Sequence, residues 1–462
     1  MNELGKRINE RPRFGTGRSA YLLYLVGALS ILLFFRQVAQ TYWASYSDFD
    51  QLFVAGVAWR KGLSPYNGHL LPYFAVPDGP TNEMLHTYYY APLCAMLVAP
   101  FTLLSYPTVI ALWKFGVFGL LLLACWRFVR LTCPEIPAAV SFLMVGITAL
   151  SGSLRWNLVQ FQPTALIVAA LIWFVCAVLE DRFWLSIALG VLISTKMTYF
   201  LPVAGLLLFR HQYKQLALMM LLIGGLNGLS LVQTGPLTTI ETYREAVRTF
   251  EEPGKMTRPD ALDSLTPLLA AYPQSPLAKY APKDREPGHW AGEQLHLRFI
   301  LSGFGVAYDT AKVIGGIFTL GVLLFFAVLW RRTRSTGALR DPASQGVLFA
   351  AMMSSSVVMV YHQRYDAIAL LPCTFVAMGA LYRRRNDVLA WTTLMSTLAL
   401  SYVLAARMLN WWYVQVAVQR GWLIAVPLCG YVAVIVCVGS LGLLWRQANA
   451  QENALVVDTA HT

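Results

Sequence analysis

Residues 20–35 read AYLLYLVGALSILLFF, sixteen positions without a charge, and apolar runs of this kind recur along the chain. About 20 predominantly apolar residues are what a helix needs to cross a bilayer. Only helices and closed barrels satisfy their backbone amides in hydrocarbon. The runs here are continuous rather than alternating with period two, which excludes a barrel. Charged residues make up 13% of the 462, about half the usual share in a soluble protein, and 57% are hydrophobic. The chain is therefore expected to be an all-α, polytopic helical membrane protein.

Twelve transmembrane helices are expected, near 20–36, 107–127, 136–153, 162–179, 183–195, 199–210, 215–233, 309–330, 344–361, 366–382, 388–407 and 422–445, with both termini cytoplasmic. Basic residues mark cytoplasmic loops. This threading places there the N-terminal Lys6, Arg7, Arg11, Arg13 and Arg18, then Arg127, Arg130, Arg182, Arg210 and Lys214. Arg331, Arg332, Arg334, Arg340, Arg383, Arg384, Arg385 and Arg446 join them, while the short outer loops are poor in Lys and Arg. The net charge of +12 thus reports topology rather than nucleic-acid binding. Residues 91–104 (APLCAMLVAPFTLL) are expected as a re-entrant or interfacial helix. Counted as a span, they would put Arg127 and Arg130 outside. Residues 183–209 are expected as two short helices split at Lys196, since a single span would reverse every later loop.

Two outer segments are long, 37–106 and 234–308, within one integral-membrane domain covering 1–462. The second carries eight Lys or Arg and nine Asp or Glu, with short helices expected near 236–250 and 262–272. The seven cysteines are scattered with no CxxC, so neither a metal site nor a disulfide framework is signalled. The basic N-terminus has no small-residue cleavage site after the first run, which reads as a retained first helix.

Ionisable residues at membrane depth are costly and usually functional. At the outer boundary stand Asp48 and Asp50, Arg155, Lys196, and the stretch YHQRYD (361–366) with His362, Arg364 and Asp366. Glu83 and His86 share the first outer loop with the two aspartates. A carboxylate there could serve as general base for a sugar hydroxyl. Lys196, His362 and Arg364 could balance charge developing on a phosphate leaving group.

Each residue also has a plainer role. Phe49, Leu52, Phe53 and Val57 recur at helical spacing, which would make Asp48 an N-cap and leave Asp50 on a solvated face. Arg364 and Asp366 could pair with one another, His362 could be an interfacial histidine, and Lys196 could snorkel to headgroups. Arg155 and Trp156 suit an interfacial anchor, and Gln162 a helix cap or helix–helix bond. HTYYYAPL (86–93), with Tyr88, Tyr89 and Tyr90, suits an aromatic belt or a stacking platform for a sugar. Composition and spacing do not separate an enzyme from a secondary transporter or lipid flippase. The absence of a visible inverted repeat, and the gathering of ionisable residues at one face, weigh against transport.

Five stretches in order resemble the bacterial GT-C glycosyltransferases of family 87, the polyprenol-phosphate-sugar-dependent mannosyltransferase-like group. They are SDFDQLFVAGVAWRKGLSPY (47–66), YYYAPLCAMLVAPFTLL (88–104), QFQPTALIVAAL (160–171), GVLISTKMTYFLPVAGLLLFRHQY (190–213) and YHQRYDAIALLP (361–372). Two positions depart from the pattern: Ala91 stands where the family often has Pro, and Phe161 where it often has Gly. The resemblance implies a GT-C fold and inverting transfer from a polyprenyl-phosphate sugar, with Asp48 as the base. It implies a hexosyltransferase, such as a mannosyltransferase, acting on a glycan or glycolipid acceptor. The site would lie on the periplasmic face of the inner (plasma) membrane. Substrate contacts would fall to Asp50, Tyr88, Tyr89, Tyr90, Gln162, Lys196, His362 and Arg364. A lipid monophosphate donor needs no metal to neutralise a diphosphate, so no obligatory cofactor is expected, with room for an auxiliary ion near Asp48 and Asp50.

Overall fold

The computed structural model describes residues 17–41, 48–66, 88, 90–159, 161–251, 297, 300–301, 306, 308–334, 339–359, 364–404, 416 and 428–460, and every regular element among them is a helix. The first apolar run forms α1 (Arg18–Gln40). The first long segment contributes α2 (Asp48–Arg60) and the short α3 (Pro92–Val98), which tightens into a 3-10 turn over Ala99–Leu103. Then come α4 (Tyr106–Thr132, with a π turn at Trp113–Val117), α5 (Ala138–Ala149), α6 (Gly152–Val159) and α7 (Pro163–Leu179). The chain continues through α8 (Phe183–Ile193), α9 (Phe200–Phe209), α10 (Tyr213–Thr234) and α11 (Pro236–Glu251). The C-terminal part holds α12 (Tyr308–Thr333), α13 (Pro342–Met359), α14 (Leu371–Arg383, led in by a 3-10 turn from Arg364), α15 (Val388–Leu398) and α16 (Leu428–Ala460). Several helices open on proline, whose missing N–H costs nothing at a first helical position.

A helix stands at each of the twelve expected spans, but they are not equal. Seven are long and apolar enough to cross a membrane by themselves, or eight if α5 and α6, bent by 49°, form one broken span. The others are shorter: α7 has 17 residues, α8 and α15 have 11, and α9 has 10. Burial accounts for α7, since a helix whose ends meet protein rather than lipid need not match the bilayer thickness. Fourteen of its 17 residues are buried. In the most apolar window of α13, 83% of residues are buried, against 17% in α10 and in α12. Thus α7 and α13 form the centre. The exposed leucines and valines of α1, α10 and α12 form an apolar outer surface that only lipid would cover. The molecule is an all-α polytopic membrane protein.

The residues 91–104 form a helix of only 12 residues over Pro92–Leu103, too short to span alone. The 183–209 stretch is broken at Lys196, as its sequence predicts, with a 3-10 turn over Met197–Tyr199 between α8 and α9. Helix α11 covers the expected 236–250 segment. The 262–272 segment lies outside the described residues.

Ion pairs tie one end of the bundle together. Glu180, after α7, pairs with Arg127 of α4 and Arg182 ahead of α8, and Asp181 pairs with Arg210 after α9. Arg383 reaches Glu135, Arg332 reaches Glu452, and Arg446 reaches Asp387. The basic residues expected on one side are therefore gathered at one end. Partly exposed pairs of this kind add little stability each, and their information is topological. The opposite end collects the start of α7, the break between α8 and α9, and the turn leading into α14. Helices α1 and α5 meet in backbone contact, since a Cβ on Gly146 would lie 2.6 Å from the Gly27 carbonyl oxygen. Small residues of this kind let membrane helices pack backbone to backbone.

Candidate functional site

At the end opposite the basic loops, four side chains converge from three parts of the sequence. Asp366 is 2% exposed. Its Oδ1 accepts hydrogen bonds from Thr164 Oγ1 at 2.8 Å, Lys196 Nζ at 3.1 Å and the Tyr199 hydroxyl at 3.1 Å. Lys196 also donates to Thr164 Oγ1 at 2.7 Å, closing a triangle. An ammonium has three donors. Two are used here, and the third has no partner among the described residues. The Lys196 side chain keeps 17% of its surface open, whereas that of Asp366 keeps 3%.

Local chain geometry produces this meeting. Gln162 takes an extended conformation as N-cap of α7, Pro163 opens the helix, and Thr164 follows in its first turn. Lys196 sits in the break after α8, where φ is −119° and ψ is 84°. A backbone interruption is tolerated at membrane depth only where its polar groups find partners. Here the Thr198 carbonyl accepts from Ser356 Oγ of α13 at 2.7 Å, and the Tyr199 amide bonds back to the Lys196 carbonyl at 3.0 Å.

The first outer segment packs beside this centre as a small core of its own. Phe49, Leu52, Phe53 and Val57 of α2, Tyr66, Tyr88, Cys94 and Ala95, Tyr106 of α4 and Phe161 make one apolar cluster. Asn227 Oδ1 of α10 accepts from the Leu93 amide, and Ser230 of the same helix joins Trp59 Nε1 to the Pro92 carbonyl. The Cys94 thiol is buried within this cluster. Phe161 adopts φ 48° and is fully buried, with the Lys114 ammonium 5.1 Å from its ring centre. That left-handed conformation suits glycine and strains a bulky residue. The aromatic ring compensates by filling the cluster.

The sequence-predicted residues fall out as follows. Lys196 is held in an ion pair rather than snorkelling. Asp366 pairs with Lys196, and the Arg364 side chain of the expected Arg364–Asp366 pairing lies outside the described residues. Asp50 departs from the expected solvated face: it is 6% exposed and accepts a hydrogen bond from the Tyr106 hydroxyl. Helix α2 lies between α3, α4 and α10, so its polar side is covered too. Tyr88 is fully buried in the apolar cluster and its hydroxyl donates to the Ala91 carbonyl at 3.1 Å. Tyr90 is partly exposed, and its carbonyl accepts from the Tyr66 hydroxyl. Burial, with Tyr243 beside it, pushes the Tyr66 phenol far above its usual range and keeps it a neutral donor. Gln162 is buried at the start of α7, and Arg155 is exposed on α6. Asp48 begins α2 and Arg364 begins the turn into α14, each described by backbone alone. Tyr89, His362, Glu83 and His86 lie outside the described residues. Thr164 and Tyr199 were not singled out by sequence, although both sit inside quoted stretches, QFQPT and STKMTY. A hydroxyl two residues beyond Gln162 was the available signal.

The fold and site together define a polytopic α-helical membrane protein with a buried charged centre at one end of its bundle. Residues 88–356, more than half of the chain, match glycosyltransferase family 87, and the chain belongs to that family. It is a glycosyltransferase. No protein of curated function and no solved structure matches it.

Proposed function

We propose that the protein transfers a sugar, a hexose such as mannose, from a polyprenyl-phosphate donor to a hydroxyl of a glycan or glycolipid. The observation that carries this is the Lys196 ammonium, fixed at a helix break by Asp366 and Thr164, with no further hydrogen-bond partner among the described residues. It stands beside the core that holds α2, the helix beginning at Asp48. A lipid-linked donor accounts for a charged centre at the end of a membrane bundle. The acceptor oxygen attacks the anomeric carbon and its proton passes to the Asp48 carboxylate. The bond from that carbon to the phosphate oxygen breaks with inversion. The polyprenyl phosphate departs with the electron pair, gaining a negative charge that Lys196, His362 and Arg364 balance. Asp50, fastened to Tyr106, fixes the first turn of α2 and so the position of Asp48. Tyr90 and Gln162 border the sugar. This chemistry calls for no obligatory metal, because a single phosphate leaves.

The basic end of the bundle would face the cytoplasm, which puts the reaction on the extracytoplasmic side of the plasma (inner) membrane. The test is turnover of a polyprenyl-phosphate hexose by purified Asp48→Asn protein. Loss of a positioned base should slow it by about 10²- to 10⁴-fold. A folded Asp48→Asn variant with undiminished turnover would sink the assignment.

A further inference from the structure

The opposite end of the bundle holds an open cavity of about 430 Å³, on the far side of the bundle from Lys196. Its lining includes one acid, Asp181, beside Arg182, His211, Gln212, Tyr213 and Lys214. Two turns of matching design build it. Each closes a helix with a non-glycine residue in the left-handed region, Asp181 at φ 54° after α7 and His211 at φ 58° after α9. Each then starts a new helix at the cavity, α8 at Phe183 and α10 at Tyr213. Neither Arg182 nor Gln212 caps its helix with its side chain among the described residues. The positive ends of two helix dipoles therefore border one space.

The side-chain charges point the same way. Arg127, Arg182, Arg210 and Lys214 face two carboxylates, Glu180 and Asp181. Glu180 is taken by Arg127 and Arg182, and Asp181 by Arg210. Lys214 is exposed and makes no ion pair among the described residues. Exposed Phe183, Trp184 and Tyr213 form an aromatic rim, and exposed Leu185, Met220 and Leu221 continue from it along α8 and α10. Basic pockets between membrane helices, next to an aromatic interfacial belt, suit anionic headgroups.

We propose that this cavity binds a phosphate-bearing anion, with its charge against Lys214, Arg182 and the two helix starts. A phospholipid headgroup and free phosphate share that chemistry. The test uses the full chain in neutral detergent, following thermal unfolding by tryptophan fluorescence as phosphatidylglycerol, phosphatidylcholine or inorganic phosphate is added. Phosphatidylglycerol should raise the midpoint and phosphatidylcholine should not. Lys214→Gln should weaken the response about fivefold, the effect of one basic group near an anionic surface. Arg182→Gln with Lys214→Gln should abolish it, and Lys214→Arg should keep it. A matching rise with inorganic phosphate identifies free phosphate as the source, and its absence identifies the lipid. Equal shifts from both lipids, or a wild-type response from Lys214→Gln, would overturn the proposal. Because the Lys214 side chain is exposed, that single variant decides the matter even if the double variant does not fold.

Discussion

Replacing Asp366 by Asn keeps the shape of the side chain and removes its charge. Three donors point at Oδ1, and one of them is a lysine only partly open to water. Removing one partner of a buried pair costs about 3–5 kcal/mol because the other charge is stranded. The residual exposure of Lys196 and the carbonyl of the new Asn reduce this, so about 2–4 kcal/mol is expected for Asp366→Asn. Lys196→Met strands the carboxylate instead, at a similar cost. The double variant strands neither, and it should be more stable than the sum of the singles by about 2 kcal/mol or more. Thermal unfolding of the four proteins in one detergent measures this as a double-mutant cycle. Turnover of a polyprenyl-phosphate sugar by the same proteins separates the roles, because stability should recover in the double variant and activity should not. Additive losses of stability would show that the 3.1 Å approach is not an energetic pair and would refute the reasoning.

Other perturbations test the remaining contacts. Tyr106→Phe removes the hydroxyl that donates to buried Asp50 and should cost about 1–3 kcal/mol, visible as a lowered unfolding midpoint. Gly146→Val forces α1 and α5 apart, because its Cβ would meet the backbone of Gly27, and should cost about 1–3 kcal/mol of overpacking. Gly224→Val on α10, where nothing lies within 4 Å of the added Cβ, is its control and should change little. Burial alone would raise the Asp387 carboxyl, but hydrogen bonds from Arg446 and the Ala390 amide outweigh it and hold the group below its usual range. Its stabilising contribution is then present above the unfolded value of about 4 and lost as pH falls through the lower folded value. Asp387→Asn should flatten that acid limb in unfolding midpoints measured across pH.

Local signals in the sequence foretold local structure. The apolar runs located the helices, and the charge at Lys196 located the break between α8 and α9. The alternation of basic loops correctly grouped Arg127, Arg182, Arg210, Arg383 and Arg446 at one end. Partners far apart in sequence were a different matter. Asp366 lies 170 residues from Lys196 and 202 from Thr164, and no periodicity links such positions. Asp50 looked solvated because helical spacing reports one face of α2. What covers the other face, Tyr106 and its neighbours, follows from how α4 returns past it. The unequal lengths of the twelve expected spans were hidden in a similar way. Helices such as α7 are buried at the centre, where the thickness of lipid sets no minimum length.

The break at Lys196 joins these strands of reasoning. An unbroken helix over 183–209 would satisfy every backbone group internally and would have no reason to hold a charge at its middle. Breaking it leaves carbonyls and an ammonium that need polar partners, and the bundle supplies them from three distant elements: Thr164 at the start of α7, Ser356 of α13, and Asp366 ahead of α14. Those partners also lock the lysine. A flexible lysine would have to be ordered as substrate arrives, whereas this one is already oriented by Thr164 and Asp366. Under the proposed transfer, preorganised charge would be worth more than mobile charge where phosphate charge develops. The helix break, which costs backbone hydrogen bonds, is therefore what allows a rigid cation to stand at the edge of a membrane bundle.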